Sequence, residues 1–202
     1  IMLLKNFNVT TKRKISSFNK VIKVDTDKSM SIRSFLIGAI SHNISSATNV
    51  LESEDVLATI NCLKKLGVKI TRRKSGSYLI FGKGLGSLNA KKGIKLNFGN
   101  SGTLARLLIG ILSTTPNIEV ELRGDHSLNK RSMKKLINLL SEFGATFLPR
   151  GKDKFPLKFI SSNFPVAIKY KAGVSAQLKS AAILAGLNSY GNTIIEDNII
   201  SR

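Results

Sequence analysis

Apolar positions along this chain follow two rhythms, one of two residues and one near 3.6, and the switches between them lay out its elements. KVIKV (20–24) is a short β-like run, and residues 31–40 after it mix small and apolar side chains as a buried helix does. NISSATNV reads as a turn and then a strand. Ser53 then stands as a cap for a helix with Glu54 and Asp55 in its first turn, where acids are favourable. Val56, Ile60, Leu63 and Leu66 recur at helical spacing, and Gly67 stops the pattern before the strand-like Val68, Lys69 and Ile70. Residues 71–98 read as strands and turns, with one β run in SGSYLIFGKG bounded by glycines. A polar turn over 97–102 leads into the apolar helix TLARLLIGILS (103–113), and IEVEL (118–122) alternates as a strand.

A second helical pattern covers 129–143 and repeats the first. A step of 77, from 56 to 133, carries Val56 onto Met133, Ile60 onto Ile137, Leu63 onto Leu140 and Leu66 onto Phe143. Gly67 falls on Gly144, so the stop signal repeats as well, which points to an internal structural repeat. A third helix pattern, 175–187, follows the strand VAIKYK and leads through NSYGN to the strand TIIEDN. Another helix is expected next, but the sequence ends at Ile200, Ser201 and Arg202; the expectation is a truncated or partial product. Strands packed against apolar helices predict an α/β layered fold of about three similar units. Few strands are continuous apolar runs, which argues against a wholly parallel, doubly covered sheet.

Composition narrows the chemistry. The 202 residues, 42% hydrophobic, suffice for a sizeable core. Thirty-two Lys and Arg against twelve acids give a net charge of +20. The lysines are spread along the whole chain, without the basic tracts or basic-aromatic interleaving of a nucleic-acid binder, so no nucleic-acid partner is expected. Cys62 is the only cysteine, which precludes an internal disulfide and reads as a buried thiol. His42 and His126 are the only histidines, so no multi-histidine zinc site and no metal are expected. No apolar run approaches eighteen residues, which predicts no membrane partner and, with the cysteine usage, a cytoplasmic protein. There is no nucleophile elbow and no P-loop; the glycine-rich GKGLGS (82–87) lacks the ending a nucleotide loop needs.

Polar clusters recur at the helix starts: residues 27–33, 100–103 with Arg106, 124–131, and 175–179. Each alone reads as ordinary capping chemistry. Their recurrence in every unit points to a shared anion site, because first-turn N–H groups lack partners within their own helix. Lys28 and Arg33 add charge, and Gly99 and Gly102 let backbone approach a ligand. No pair of acids is placed for general acid–base work. Asp25 and Asp27 lie beside Lys28, and Glu52, Glu54 and Asp55 read as helix-start charge.

The stretches DKSMSIRSFLIGAI, LESEDVLATINCLKKLGVKI, NFGNSGTLARLLIGIL, RGDHSLNKRSMKKLINLL and VSAQLKSAAILAGL together resemble the N-terminal half of the 3-phosphoshikimate 1-carboxyvinyltransferases, also called 5-enolpyruvylshikimate-3-phosphate synthases. That resemblance implies an enolpyruvyltransferase-like α/β domain of repeated βαβαββ units, one of two that close over the substrates. Residues 20–202 would form this substrate-binding domain, truncated at its C-terminus, and residues 1–19 would join the second domain. The implied reaction moves the enolpyruvyl group of phosphoenolpyruvate to the 5-hydroxyl of shikimate 3-phosphate and releases phosphate, with no cofactor. Lys28, Ser29, Arg33, Ser175, Ala176 and Gln177 match the shikimate 3-phosphate positions. Lys28, Asn100, Gly102, Thr103 and Arg131 match those at phosphoenolpyruvate, with Lys28 as the catalytic residue of this half.

The family's catalytic aspartate and glutamate belong to the other half, so these residues alone are expected to be inactive, and a monomer is implied. The sequence departs from the family at KVDTDKS, where proline and glycine are usual, and at Ser132, where proline is usual. Three other readings stay open. They are a non-catalytic anion-binding fragment of the same family, the related transferase acting on UDP-N-acetylglucosamine, and a basic nucleic-acid binder. The second conflicts with Lys28-Ser29, where that enzyme has Lys-Asn.

Overall fold

In the computed structural model, residues 26–197 are described. The strand expected over 20–24 and the N-terminal segment 1–19 lie outside them. Helix α1 (Lys28–Ile40) leads to β1 (Ile44–Ala47), α2 (Glu54–Lys65), β2 (Lys69–Arg72) and β3 (Tyr78–Phe81). Then come β4 (Lys95–Asn97), α3 (Gly102–Ser113), β5 (Glu119–Arg123), the short α4 (His126–Lys130), α5 (Lys134–Glu142), β6 (Thr146–Leu148) and β7 (Leu157–Ile160). The described part closes with β8 (Lys169–Ala172), α6 (Ala176–Gly186) and β9 (Ile194–Asp197).

The repeat is visible in the strand pairing. β3 lies between β1 and β2, antiparallel to both, and β7 lies in the same way between β5 and β6. β4 runs parallel to β5, and β8 runs parallel to β9. The middle unit is thus β-α-β-α-β-β with α4 inserted, and its neighbours show parts of the same order. The step of 77 joins equivalent helices: Val56, Leu63 and Leu66, like Met133, Leu140 and Phe143, are at most 2% exposed.

The two helix types differ in how they are buried. α2 and α5 are one-sided, with Val56, Ile60 and Leu63 or Leu136, Leu139 and Leu140 turned inward. α3 is buried on nearly every side from Leu104 to Ser113, as its unbroken apolar sequence requires. It packs on α6 so closely that a Cβ at Gly110 would stand 2.7 Å from the carbonyl oxygen of Ala181. Glycine on one helix and Ala181, Ala182 and Ala185 on the other bring the two backbones together.

One expected element is corrected. The helix over 129–143 is two helices, broken at residues 131–133. Arg131 is extended (φ −79°, ψ 133°), and the Met133 N–H donates out of the helix to the carbonyl of Asp153 (2.7 Å). Ser132, standing where the family has proline, accepts from the Lys134 N–H (3.2 Å) and bonds the Asp153 carboxylate. Leu128 and Met133 on either side of the break both stay buried, so the apolar pattern continues while the backbone does not. Among the described residues no helix is long and apolar enough to cross a membrane.

Candidate functional site

The three inner helices begin alike. Their N-caps are Asp27, Ser101 and Ser175, a constant step of 74 from 27 to 101 to 175. Each cap accepts from the N–H of the third helical residue: Met30 at 2.6 Å, Leu104 at 3.2 Å and Leu178 at 3.4 Å. The first two residues of each helix keep N–H groups that have no intrahelical acceptor. Those residues are Lys28 and Ser29, Gly102 and Thr103, and Ala176 and Gln177.

These starts meet at a cavity of about 440 Å³ lined by Lys28, Asp55, Asn100, Gly102, Thr103, Arg106, Arg131 and Gln177. Six of the ten expected site residues are therefore brought together. The Gln177 amide donates to Thr103 Oγ1 (2.9 Å), tying α6 to α3. Arg131, freed from helical geometry by the break after α4, reaches back across the opening, and its Nη2 donates to Asn100 Oδ1 (2.7 Å). Arg106 Nη1 donates to the Gly102 carbonyl (2.9 Å), which folds its guanidinium over the first turn of α3. Burial, and then the positive charge of Arg131, hold the Arg106 guanidinium below its ordinary pKa. Two cations that repel each other in a half-buried site favour an anion between them.

The other four residues stand around this cavity and do not line it. Ser29 is half-buried in the first turn of α1. Arg33, one turn further on, donates from Nη1 to Ser180 Oγ of α6 (3.1 Å) beside a small apolar hollow with Ile37 and Ile183. Ser175 spends its hydroxyl on its cap and opens on a neighbouring groove with Tyr170 and Leu178. Ala176 offers only backbone, as the exposed first residue of α6.

Two lining residues carry more than the sequence reading gave them. Arg106 belongs in the sequence to the polar cluster at 100–103, and its place one turn after Gly102 is the signal of its role. Asp55 reads in the sequence as helix-start charge, yet its Oδ2 lies 3.0 Å from Lys28 Nζ. Which way it faces depends on how α2 sits against α1, and no local pattern records that.

Comparison with known proteins identifies the family. The family model for EPSP synthase (3-phosphoshikimate 1-carboxyvinyltransferase) matches residues 12–202. The 3-phosphoshikimate 1-carboxyvinyltransferase of Paramagnetospirillum magneticum is 41% identical over 180 residues, covering 89% of this chain and 40% of that protein. The corresponding protein of Vesicomyosocius okutanii is 40% identical over 182 residues, 90% of this chain and 41% of its own. The solved EPSP synthase of Acinetobacter baumannii superposes with a TM-score of 0.81 at 36% identity, covering 90% of this chain and 41% of that one. The chain spans about two-fifths of the length of these relatives. With a fold of repeated βα units and a family match that runs from residue 12 to the last, the chain belongs to the EPSP synthase family.

Proposed function

We propose that this chain forms the anion-binding half of an enzyme that transfers the enolpyruvyl group of phosphoenolpyruvate to the 5-hydroxyl of shikimate 3-phosphate. The observation that carries this reading is the convergence of Lys28, Arg106 and Arg131 with the starts of α1, α3 and α6 on one cavity. Both substrates bear a phosphate and a carboxylate, and seating them together calls for local cations and oriented N–H groups. Lys28, Asn100, Gly102, Thr103 and Arg131 face phosphoenolpyruvate. Lys28, Ser29, Arg33, Ser175, Ala176 and Gln177 hold shikimate 3-phosphate, Ala176 through its N–H.

In the reaction the 5-hydroxyl oxygen gives up its proton and bonds to the phosphate-bearing carbon of phosphoenolpyruvate, while the neighbouring methylene carbon takes a proton. Phosphate then leaves as that carbon gives a proton up. The cations stabilise charge as it shifts on the phosphoenolpyruvate. Residues 20–202 act as one domain of a cytoplasmic monomer, and a second domain, joined through residues 1–19, supplies the proton-transfer groups and closes out water.

Calorimetric titration of the chain tests this, with circular dichroism as the check on folding. Shikimate 3-phosphate should give a saturable heat that shikimate does not, and Arg33→Ala should remove it. Phosphoenolpyruvate binding should weaken in Arg131→Ala and remain weak in Arg131→Lys, because lysine lacks the planar fork. A folded chain that binds neither substrate, or binds them no better than a generic polyanion, overturns the proposal.

A further inference from the structure

Asp55 is the single acid lining a cavity whose other charges are Lys28, Arg106 and Arg131. A carboxylate facing an anion site weakens binding unless it does something for a cation there. Asp55 sits in the first turn of α2, whose N-cap Ser53 makes no side-chain capping bond. The Asp55 carboxylate crosses instead to α1, and Oδ2 meets Lys28 Nζ at 3.0 Å. Its side chain is 17% exposed, against 51% for Lys28. The acid is the fixed partner and the lysine the loose one.

Resting on the function proposed above, we infer that Asp55 is a positioning residue that holds the Lys28 ammonium over the cavity for the incoming anion. A lysine ammonium has three donors. Asp55 takes one and leaves two for a phosphate or carboxylate. Without it, a four-carbon stem half in solvent samples many rotamers, and ordering it counts against binding. The start of α2, positive by its backbone, offsets part of the repulsion between Asp55 and a bound anion.

The alternative, an acid that merely competes for Lys28, predicts the opposite sign. Asp55→Asn, Asp55→Glu, Lys28→Met and the Asp55→Asn/Lys28→Met double variant of the chain are titrated with phosphoenolpyruvate and with inorganic phosphate. Asp55→Asn should weaken binding roughly five- to tenfold, a coupling typical of contacting residues. Asp55→Glu should recover most of that loss. In the Lys28→Met background the effect of Asp55→Asn should fall within about twofold, because there is no ammonium left to hold. Tighter or unchanged binding in Asp55→Asn overturns the inference, as does an equal loss with and without Lys28, which marks a merely structural acid. If phosphoenolpyruvate binds no better than inorganic phosphate, the functional reading falls while phosphate still reports on Asp55. If neither anion binds the folded wild type, both fall.

Discussion

Replacing Gly102 by alanine should separate folding from anion binding. The new Cβ would stand 2.6 Å from Arg106 Nη1, 3.7 Å from Arg131 Nη1 and 3.8 Å from Arg106 Cζ. Ordinary contact begins near 3.4 Å, so the guanidinium must retreat by most of an ångström. It is the end of a flexible side chain, and retreat costs the fold little. Alanine in place of a helical glycine offsets that cost by about 0.4–1 kcal/mol through the unfolded chain. Retreat does break the Arg106 bond to the Gly102 carbonyl (2.9 Å) and moves a cation within the cavity. Losing one charge-assisted hydrogen bond to an anion costs about 1.5–3 kcal/mol, or roughly 10- to 150-fold in affinity. Thermal denaturation should therefore show an unchanged or slightly raised midpoint, and titration should show phosphoenolpyruvate binding at least about tenfold weaker. Shikimate 3-phosphate, which the proposed function seats on α1 and α6, should be affected less. Unchanged phosphoenolpyruvate affinity, or a loss of stability beyond about 2 kcal/mol, would refute the reasoning, since each contradicts a side chain that yields while the backbone stays.

Two further outcomes test the body of the fold. Gly110→Ala places a Cβ 2.7 Å from a backbone oxygen of α6, which cannot yield as a side chain can. Urea denaturation should show a loss of about 1–3 kcal/mol, and an unmoved midpoint would mean that α3 and α6 are not closely packed in solution. Cys62 is 1% exposed and donates to the Asn97 carbonyl (3.4 Å), and burial pushes its thiol up to about 12. Its stabilising contribution is complete below the unfolded value of about 8.5 and declines by up to about 1.4 kcal/mol per pH unit above it, because the unfolded chain ionises first. Stability measured from pH 8 to 10 should fall more steeply in the wild type than in Cys62→Ala; parallel slopes would place the thiol in water.

How far the sequence reached follows from what each pattern records. Val56, Ile60, Leu63 and Leu66 report burial along one face, and their copies at 133–143 report it again, so the repeated unit is legible in the sequence alone. The same pattern hid the break at Arg131. Leu128 and Met133 stay buried on both sides of it, and spacing carries no information on φ and ψ. Capping residues are a local signal, and the starts of α1, α3 and α6 were placed within one residue or a few. Convergence of those starts was inferred from recurrence alone, and it holds for Lys28, Gly102, Thr103 and Gln177. Arg33 and Ser175 stand beside the cavity without lining it: Arg33 engages Ser180 and Ser175 caps α6, short-range contacts that a list of polar residues does not rank. The inward turn of Asp55 depends on packing between α1 and α2, a relation with no trace in either segment.

The even step of the three N-caps has a consequence for how the site responds to its surroundings. Each inner helix brings roughly half an elementary charge of backbone polarity to the cavity, so three of them together bring about one and a half, somewhat more than one further cationic side chain. Unlike a lysine, this contribution has no proton to lose, no rotamer to order and no long stem to be drawn into solvent. Salt weakens it least where the helix starts are most shielded. It sets a floor beneath the side-chain charges: the proposed preference for anions should persist at alkaline pH and in variants stripped of any one cation. Substitutions at Lys28, Arg106 or Arg131 then act as graded adjustments above that floor, and only a change that redirects a helix removes the floor itself.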